Sequence, residues 1–184
     1  GLTGKGITVA IIDTGIDYTH PDLGGCAAVG PDCRVKGGWD FVGDSGYGTG
    51  GNWTPMPDPD PMDHQSHGTH VAGIVGASGR INGVAPGVDF MAYKVFDMGS
   101  SSADVIMAAM EMALRDKVDV VNLSLGAAYQ WAQYPTAKAA DKLVNKGIVV
   151  VASAGNNGRE GLFSGGAPGI GDKVIGVASF DNTH

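Results

Sequence analysis

The stretch Ile7-Thr8-Val9-Ala10-Ile11-Ile12-Asp13-Thr14-Gly15 is a short, largely apolar run that ends in a carboxylate and a turn. A run of this length is typical of a strand that is buried on both faces of a parallel sheet. Asp13 then falls at the carboxyl end of the strand, and in open α/β sheets ligands and catalytic groups collect at that edge. The stretch therefore predicts a parallel sheet with a functional carboxylate at its edge.

Predicted strands and helices alternate along the rest of the chain. We expect strands at 90–96, 118–123, 148–151 and 173–179, a helix that begins after Ser102 and another at 136–146. A chain that alternates in this way forms a parallel sheet with helices on both faces. The predicted fold class is therefore α/β, a three-layer domain whose sheet is mostly parallel.

The composition is that of a folded protein with an acidic surface. Of the 184 residues, 43% are hydrophobic and 17% charged, which suits one domain or most of one. The net charge of -7, with only 12 Lys and Arg, argues against nucleic acid or an anionic membrane as a partner. No run of about 18 apolar residues occurs, so we expect no membrane span.

Residues 24–63 are rich in glycine and proline, and we expect them to form a loop-rich surface insertion. The two cysteines, Cys26 and Cys33, lie seven positions apart in this segment. A local disulfide is the favoured interpretation and two free thiols the alternative, because no other Cys or nearby His completes a metal site. A disulfide indicates an oxidising compartment, and in a secreted protein Asn52-Trp53-Thr54 is a glycosylation acceptor at Asn52.

The stretch Asp63-His64-Gln65-Ser66-His67-Gly68-Thr69-His70-Val71-Ala72-Gly73 brings three histidines and an aspartate onto a loop that runs into a helix of small residues. Histidine takes and returns a proton near neutral pH. The sheet prediction places His67 at the same edge as Asp13 and as residues 154–158, which follow a predicted strand. A carboxylate that orients an imidazole, with an amide that donates to a developing oxyanion, is the arrangement of a hydrolase site.

Five motifs resemble those of the subtilisin-like serine peptidases, or subtilases, and follow the order of that family. They are Val9-Ala10-Ile11-Ile12-Asp13-Thr14-Gly15-Ile16-Asp17 with His20-Pro21-Asp22-Leu23, Ser66-His67-Gly68-Thr69-His70-Val71-Ala72-Gly73, Val84-Ala85-Pro86, Asn122-Leu123-Ser124-Leu125-Gly126 and Ala154-Gly155-Asn156. Each motif alone is moderately specific, but five in sequence leave little room for chance. The resemblance covers nearly the whole chain.

The resemblance implies a role for each matched residue. Asp13 orients His67, His67 is the general base and acid, and Asn156 donates to the oxyanion. A polypeptide substrate pairs as an added strand with two backbone segments, and a wall lines the pocket for the residue before the cut. These binding residues are Gly99, Ser100 and Ser101, then Ser124, Leu125 and Gly126, and, at the wall, Ala154 and Gly155. The family further implies a secreted, monomeric endopeptidase made as a zymogen with an N-terminal propeptide.

The sequence departs from the family pattern at the nucleophile. The Gly-Thr-Ser motif that holds the family's serine does not occur in the 184 residues. We therefore expect residues 1–184 to be the N-terminal portion of a peptidase domain, incomplete on its C-terminal side and inactive alone, with the serine beyond residue 184. The chain resembles larger secreted members that carry a protease-associated domain insertion. Ser66, Ser124 and Ser164 are interpreted as structural or substrate-lining.

Two features of the sequence bear on metal binding, namely the turn at 78–82 and the histidines beside Asp63. The turn at 78–82 looks shorter than the calcium-binding loop of bacterial relatives, so we expect no cofactor, with calcium as the alternative. His64, His67 and His70 beside Asp63 would suit zinc, but on a helix the outer two rings are six positions apart and point off a shared face. We expect His67 to be the functional ring, His70 to be packed or hydrogen-bonded behind it and His64 to face solvent.

Two other functions stay open from the sequence. Ile11-Ile12-Asp13-Thr14-Gly15 also resembles the motif of aspartic peptidases, but those enzymes are β-rich and need a second, paired aspartate. A non-catalytic peptide-binding fragment or a degenerate relative is the other alternative. A degenerate member is expected to lose Asp13, His67 or Asn156, and all three are present.

Overall fold

A six-stranded parallel sheet forms the centre of the computed structural model, which describes residues 1–180. The strands are β1 (Thr8–Asp13), β2 (Val35–Asp40), β3 (Asp89–Lys94), β4 (Val120–Leu123), β5 (Val149–Ser153) and β6 (Ile175–Val177). The helices are α1 (His67–Gly76), α2 (Ala103–Arg115) and α3 (Pro135–Asn145), with short 3-10 turns at Pro21–Leu23 and Gly158–Glu160. None of these helices is long and apolar enough to cross a membrane in the part of the chain described.

Strand β1 lies in the middle of the sheet, whose order is β2-β3-β1-β4-β5-β6. Ala10, Ile11 and Ile12 are fully buried there, as the apolar run predicts. The order reverses at β1, because β2 and β3 lie on one side of it and β4 to β6 on the other. The carboxyl end of β1 is therefore the topological switch point of the sheet, where ligands bind in folds of this type.

Helices pack on both faces of the sheet, which confirms the predicted α/β fold class. Helices α2 and α3 cover one face and share a core with Ile12, Leu123 and Val150. On the other face α1 packs its Val71 and Ala72 against Val9 and Ile11. Because side chains alternate along each strand, one buried strand supplies both layers.

The α1 side of the sheet is only partly covered by residues 1–180. Beyond α1, Val149 on β5 and Ile175 and Val177 on β6 are 47%, 54% and 52% exposed. The strand register places these residues on the same face as Val9 and Ile11. Parallel sheets are normally buried on both faces, so this exposed apolar surface is unusual for the fold.

The prediction that residues 24–63 form only surface loops is wrong for one strand. Residues Val35–Asp40 form β2, which pairs with β3 at the edge of the sheet, and Val35 and Asp40 are fully buried. The sequence pattern hides this strand because its middle is Gly37-Gly38. Gly38 has a φ of +149°, and a Cβ there would lie 1.8 Å from the Ala92 carbonyl oxygen. Close packing against β3 therefore requires the residue that weakens a strand prediction.

Other boundaries differ from the sequence prediction by a few residues. Strand β3 begins at Asp89 and ends at Lys94, β5 extends to Ser153, and β6 is shorter than the run at 173–179. Ser102 is at the N-cap position of α2, but its hydroxyl makes no hydrogen bond to the helix backbone.

The disulfide between Cys26 and Cys33 is confirmed, with a Cα–Cα distance of 5.9 Å. It closes the loop that follows the first 3-10 turn, and Cys33 is buried beside Leu23 in the α1-side core. Asn52, the predicted glycosylation acceptor, is half-buried, and its side-chain Nδ2 donates to the Ser45 carbonyl oxygen. Glycosylation at Asn52 stays a prediction.

Gly38→Ala should lower the free energy of unfolding by about 2–5 kcal/mol, because it adds a strained positive φ to a backbone clash. The measurement is urea-induced unfolding followed by circular dichroism. Gly37→Ala is the matched control, because its Cβ would meet only the flexible end of Met91 at 3.3 Å. Equal stability of the two variants would contradict the close approach of β2 to β3.

Candidate active site

Asp13, the last residue of β1, is in direct contact with His67, the first residue of α1. The Asp13 Oδ1 atom lies 2.7 Å from His67 Nδ1 and also accepts a hydrogen bond from the Thr14 N–H. A carboxylate opposite Nδ1 holds the ring proton on that nitrogen, so Nε2 is left as the proton acceptor. The His67 side chain is 50% exposed, whereas that of Asp13 is 2% exposed. The pair is therefore a buried orienting acid and an accessible base.

Burial raises the pKa of the Asp13 carboxyl above its ordinary value, and the hydrogen bonds from His67 and Thr14 oppose this change. Its second oxygen, Oδ2, is buried with no hydrogen-bond partner among residues 1–180. A buried acceptor without a partner costs about 1–3 kcal/mol. The hydrogen bond from His67 is the largest of the interactions that oppose this rise in the pKa.

Asp63 fixes the loop that presents His67. Its Oδ1 accepts from the N–H groups of Gln65 and Ser66, and its Oδ2 accepts from the Thr69 N–H and hydroxyl. Ser66 has a φ of +90°, a conformation that a non-glycine residue holds only when its surroundings demand it. Burial raises the pKa of Asp63, but the hydrogen bonds from Thr69 and the loop N–H groups outweigh it and lower the pKa overall.

The exit of β1 is joined directly to the start of α1. The Gly68 N–H donates to Thr14 Oγ1 at 2.8 Å, and the Asp17 N–H donates to Thr69 Oγ1 at 2.9 Å. These two bonds hold the aspartate-bearing and histidine-bearing segments in a fixed relation. The sequence motifs did not reveal this role of Asp63 and Thr69. Their signal was present, since an Asp in a loop commonly accepts hydrogen bonds from backbone N–H groups two or three residues on.

The side chains of His64, His67 and His70 lie in three different environments. His64 is exposed, with Nε2 3.4 Å from Asp44 Oδ2. His70 is exposed as well, so the expectation that it is packed is wrong for residues 1–180. It lines an apolar groove of about 700 Å³ with Ile74 and Val84 on the partly covered side of the sheet. Among residues 1–180 these rings belong to no group of three or more His, Cys, Asp or Glu side chains that could hold a metal ion.

Two adjoining cavities form a cleft beside His67. The nearer cavity, of about 250 Å³, is lined by Asp13 and His67, and the farther one, of about 320 Å³, by Ile106 and Tyr134. The predicted substrate segments run along this cleft. Gly99, Leu125 and Gly126 line both cavities, Ser124 lines the nearer one, and Ser100 and Ser101 line the farther one. Phe96, which the sequence analysis missed, also lines both cavities.

The predicted oxyanion donor lies apart from this cleft. Asn156 is exposed on the loop after β5, and it lines a separate cavity of about 470 Å³ with Ala154, Gly155 and Ser164. That cavity shares no lining residue with the two beside His67. The described chain therefore brings together Asp13, His67 and the two backbone segments, but it does not bring Asn156 into contact with them.

The three serines singled out in the sequence are placed differently. Ser124 lies in the His67 cavity, where its Oγ accepts from the Asn122 side chain at 2.9 Å. Ser164 is buried and donates to the Gly161 carbonyl oxygen. Ser66 is exposed, and its main-chain carbonyl begins the first turn of α1.

The turn at 78–82 is closed around a carboxylate. Ser78 and Asn82 form an isolated antiparallel bridge, and the Asp22 carboxylate accepts from the N–H groups of Arg80 and Ile81 at 3.0 and 3.2 Å. These backbone hydrogen bonds lower the pKa of Asp22. The Asp22 carboxylate therefore holds the turn closed through these backbone N–H groups.

The fold and this site define a class of protein: an α/β domain with a parallel sheet and an aspartate–histidine pair at the switch point of that sheet. The sequence matches the profile of the subtilase family (Peptidase_S8) over residues 4–184, and the chain belongs to that family. This membership confirms the resemblance carried by the five motifs, and it rules out the aspartic peptidase alternative.

Similar proteins include the minor extracellular protease Vpr and subtilisin E, both of Bacillus subtilis. The chain is 42% identical to Vpr over 97% of its own length and 21% of that protein, and 36% identical to subtilisin E over 100% and 43%. Among solved structures, a protease of Pseudoalteromonas arctica superposes with a TM-score of 0.78 at 25% identity, covering 97% of this chain and 57% of that one. Sphericase superposes at 0.74 with 32% identity, covering 100% and 56%. The chain therefore spans less than two thirds of each of these relatives.

Asp63→Asn should destabilise the protein at neutral pH by about 1.5–3 kcal/mol, because it removes a charged acceptor of four hydrogen bonds. The pKa of Asp63 is lower in the folded state, so its stabilisation is present above the unfolded value of about 3.9. It is lost as the pH falls through the folded value. Urea unfolding at several pH values should show the two curves converging in acid.

The control for this comparison is Asp32→Asn, which changes an exposed carboxylate in the same charge-removing way. It should shift the free energy of unfolding by less than about 0.5 kcal/mol at every pH. A constant difference between wild type and Asp63→Asn from pH 7 down to pH 2 would show that the Asp63 charge does not hold the loop.

Proposed function

We propose that this chain is the N-terminal portion of the catalytic domain of a serine endopeptidase that cleaves polypeptides through an acyl-enzyme intermediate. The observation that carries the proposal is the 2.7 Å contact between Asp13 and His67 at the head of a cleft. The cleft runs between two backbone segments of the kind that bind a peptide as an added strand. Membership of the subtilase family supports the same reaction class.

In the proposed reaction His67 Nε2 takes the proton of a serine hydroxyl as its oxygen attacks the peptide carbonyl carbon. Asp13 holds the ring and stabilises the imidazolium that forms. The tetrahedral intermediate collapses when His67 returns the proton to the leaving amine, which breaks the C–N bond and leaves an acyl-serine. Water then repeats the attack with the same base, and the acid and the free serine are released.

The nucleophile is proposed to lie beyond residue 184, because the 184 residues contain no Gly-Thr-Ser motif and span only 21% of Vpr and 43% of subtilisin E. The exposed apolar face at Val149, Ile175 and Val177 supports this assignment, because a parallel sheet needs a helix there. Such a helix would begin at the carboxyl edge of the strands, the edge that also carries Asp13. Residues 1–184 alone are accordingly proposed to be inactive.

Asn156 is proposed to supply the side-chain donor to the oxyanion, with Ala154 and Gly155 forming the wall for the residue before the cut. Their position on one loop at the end of β5 supports this, since the loop leaves the same edge of the sheet as Asp13. The exposed Asn156 amide has no hydrogen bond within residues 1–180 that would have to be broken.

The protein is further proposed to be secreted, monomeric and made with an N-terminal propeptide. The Cys26–Cys33 disulfide supports an oxidising compartment, and the name of Vpr calls that relative extracellular. The turn at 78–82 is proposed to function without calcium, because the Asp22 carboxylate already satisfies the N–H groups of Arg80 and Ile81 inside it.

In the full-length chain His67→Ala should lower turnover of a peptide substrate by several orders of magnitude while peptide binding is largely kept, because it removes only the base. The measurement is steady-state hydrolysis together with equilibrium binding of a substrate-like peptide. Wild-type activity should be abolished by a serine-reactive fluorophosphonate and survive a metal chelator. Near-normal turnover in the variant would refute the proposed mechanism, and peptide binding without cleavage by the wild type would favour a non-catalytic relative.

Asn156→Ala in the full-length chain should lower kcat by about 10²–10³-fold, the magnitude established for the corresponding donor in subtilisin itself. KM should change little, because the donor acts on the oxyanion and not on the bound substrate. The neighbouring Asn157→Ala serves as the control and should keep the wild-type kcat. Equal kcat values for Asn156→Ala and wild type would remove Asn156 from the proposed site.

A further inference from the structure

The loop formed by residues 43–53 is anchored at its base by buried charges. Lys94, which is 1% exposed, lies with its Nζ 3.1 Å from Asp40 Oδ2 and also pairs with Asp44 at the start of the loop. Asp40 Oδ1 in turn accepts from the N–H groups of Val42 and Gly43. A buried ammonium held between two carboxylates fixes the direction in which the loop leaves β2.

The tip of the same loop lies directly on the segment 97–102. The Gly46 N–H donates to Asp97 Oδ2 at 2.7 Å, and Tyr47 Oη lies 3.0 Å from Ser102 Oγ. The backbones of Gly48 and Ser100 are also in contact, since a Cβ on Gly48 would lie 1.9 Å from the Ser100 carbonyl oxygen. The loop is therefore packed against this segment without any gap.

Tyr47 is the centre of this contact. It is 2% exposed, and the Trp53 ring packs edge-on against it with 5.7 Å between ring centroids. Ser102 lies beside Asp104, and its hydroxyl lowers the pKa of that carboxyl. The hydrogen bond between the Tyr47 and Ser102 hydroxyls therefore links the loop to the residue that precedes α2.

Residues 99–101 need such support because they lie outside the sheet. They belong to no helix or strand, yet they form one wall of the farther cavity of the cleft, opposite Leu125 and Gly126. A segment of irregular backbone with few contacts opens locally, so this wall keeps its position only if other residues pack against it. The 43–53 loop is what lies behind it.

We propose that Tyr47 is a positioning residue that, through Ser102 and the loop contact at Ser100, fixes the wall of the farther cavity and so sets the affinity for long peptide substrates. The inference rests on the proposed peptidase function. Short peptides that occupy only the His67 cavity reach this wall at Gly99 alone and do not touch Ser100 or Ser101. The contribution of Tyr47 to substrate affinity should therefore increase with the number of substrate residues on the acyl side of the cleaved bond.

The test is Tyr47→Phe in the full-length chain, which removes the hydroxyl and keeps the ring. For substrates with four residues before the cut, KM should rise about 3- to 10-fold, the equilibrium effect of losing one neutral hydrogen bond. The kcat should be unchanged, because this contact serves ground state and transition state alike. For substrates with a single residue before the cut, KM and kcat should equal those of the wild type.

Two further variants separate positioning from general destabilisation. Ser102→Ala should reproduce the length-dependent rise in KM, and the double variant should be no worse than either single one, since all three lose the same bond. Tyr93→Phe, the matched control, removes a buried hydroxyl that bonds to Asp116 and lines neither cavity. It should leave KM unchanged at every substrate length.

The outcomes distinguish this inference from the function on which it rests. A wild-type full-length chain that cleaves no peptide of any length overturns the proposed function. Wild-type cleavage combined with an unchanged KM profile in Tyr47→Phe overturns the role of Tyr47 alone. A rise in KM that is equal for short and long substrates also overturns it, because that result would show a general loosening of the cleft.

Discussion

The hydrogen bond between Asp13 and His67 depends on a constraint that the whole sheet enforces. The Asp13 carboxylate is buried with one oxygen unpartnered, which is unfavourable. Such an arrangement persists only where the surrounding structure fixes the backbone. Strand β1 meets that condition because it is paired on both sides, with β3 and with β4. The hydrogen bonds that the Gly68 N–H donates to Thr14 and the Asp17 N–H donates to Thr69 extend the same rigidity to the start of α1.

The carboxyl edge of the sheet carries charge at three neighbouring strand ends. Asp40 on β2 is in register with Lys94 on β3, and Lys94 is in register with Asp13 on β1. Lys94 forms ion pairs with Asp40 and Asp44, whereas Asp13 pairs with His67. The carboxyl ends of these strands therefore have two roles. The end of β1, with the start of α1, positions His67, and the ends of β2 and β3 anchor the 43–53 loop behind the cleft wall.

The sequence predicted those parts of the molecule whose residues interact with near neighbours along the chain. The buried strand β1, the start of α1 at His67 and the Cys26–Cys33 bridge follow from local patterns and were found where expected. Strand β2 was missed because Gly38 is required by its contact with Ala92, which is 54 positions away. The exposure of His70 was missed for a similar reason, because burial depends on what packs against a helix and not on the helix itself.

The exposed face of β5 and β6 bears on the aggregation of the protein. Within residues 1–180, Val149, Ile175 and Val177 are exposed on these strands, and β6 is the edge of the sheet. An apolar surface beside open backbone hydrogen-bonding groups is the combination that drives aggregation. The solubility of residues 1–180 as an isolated unit should therefore depend on whether this face is covered.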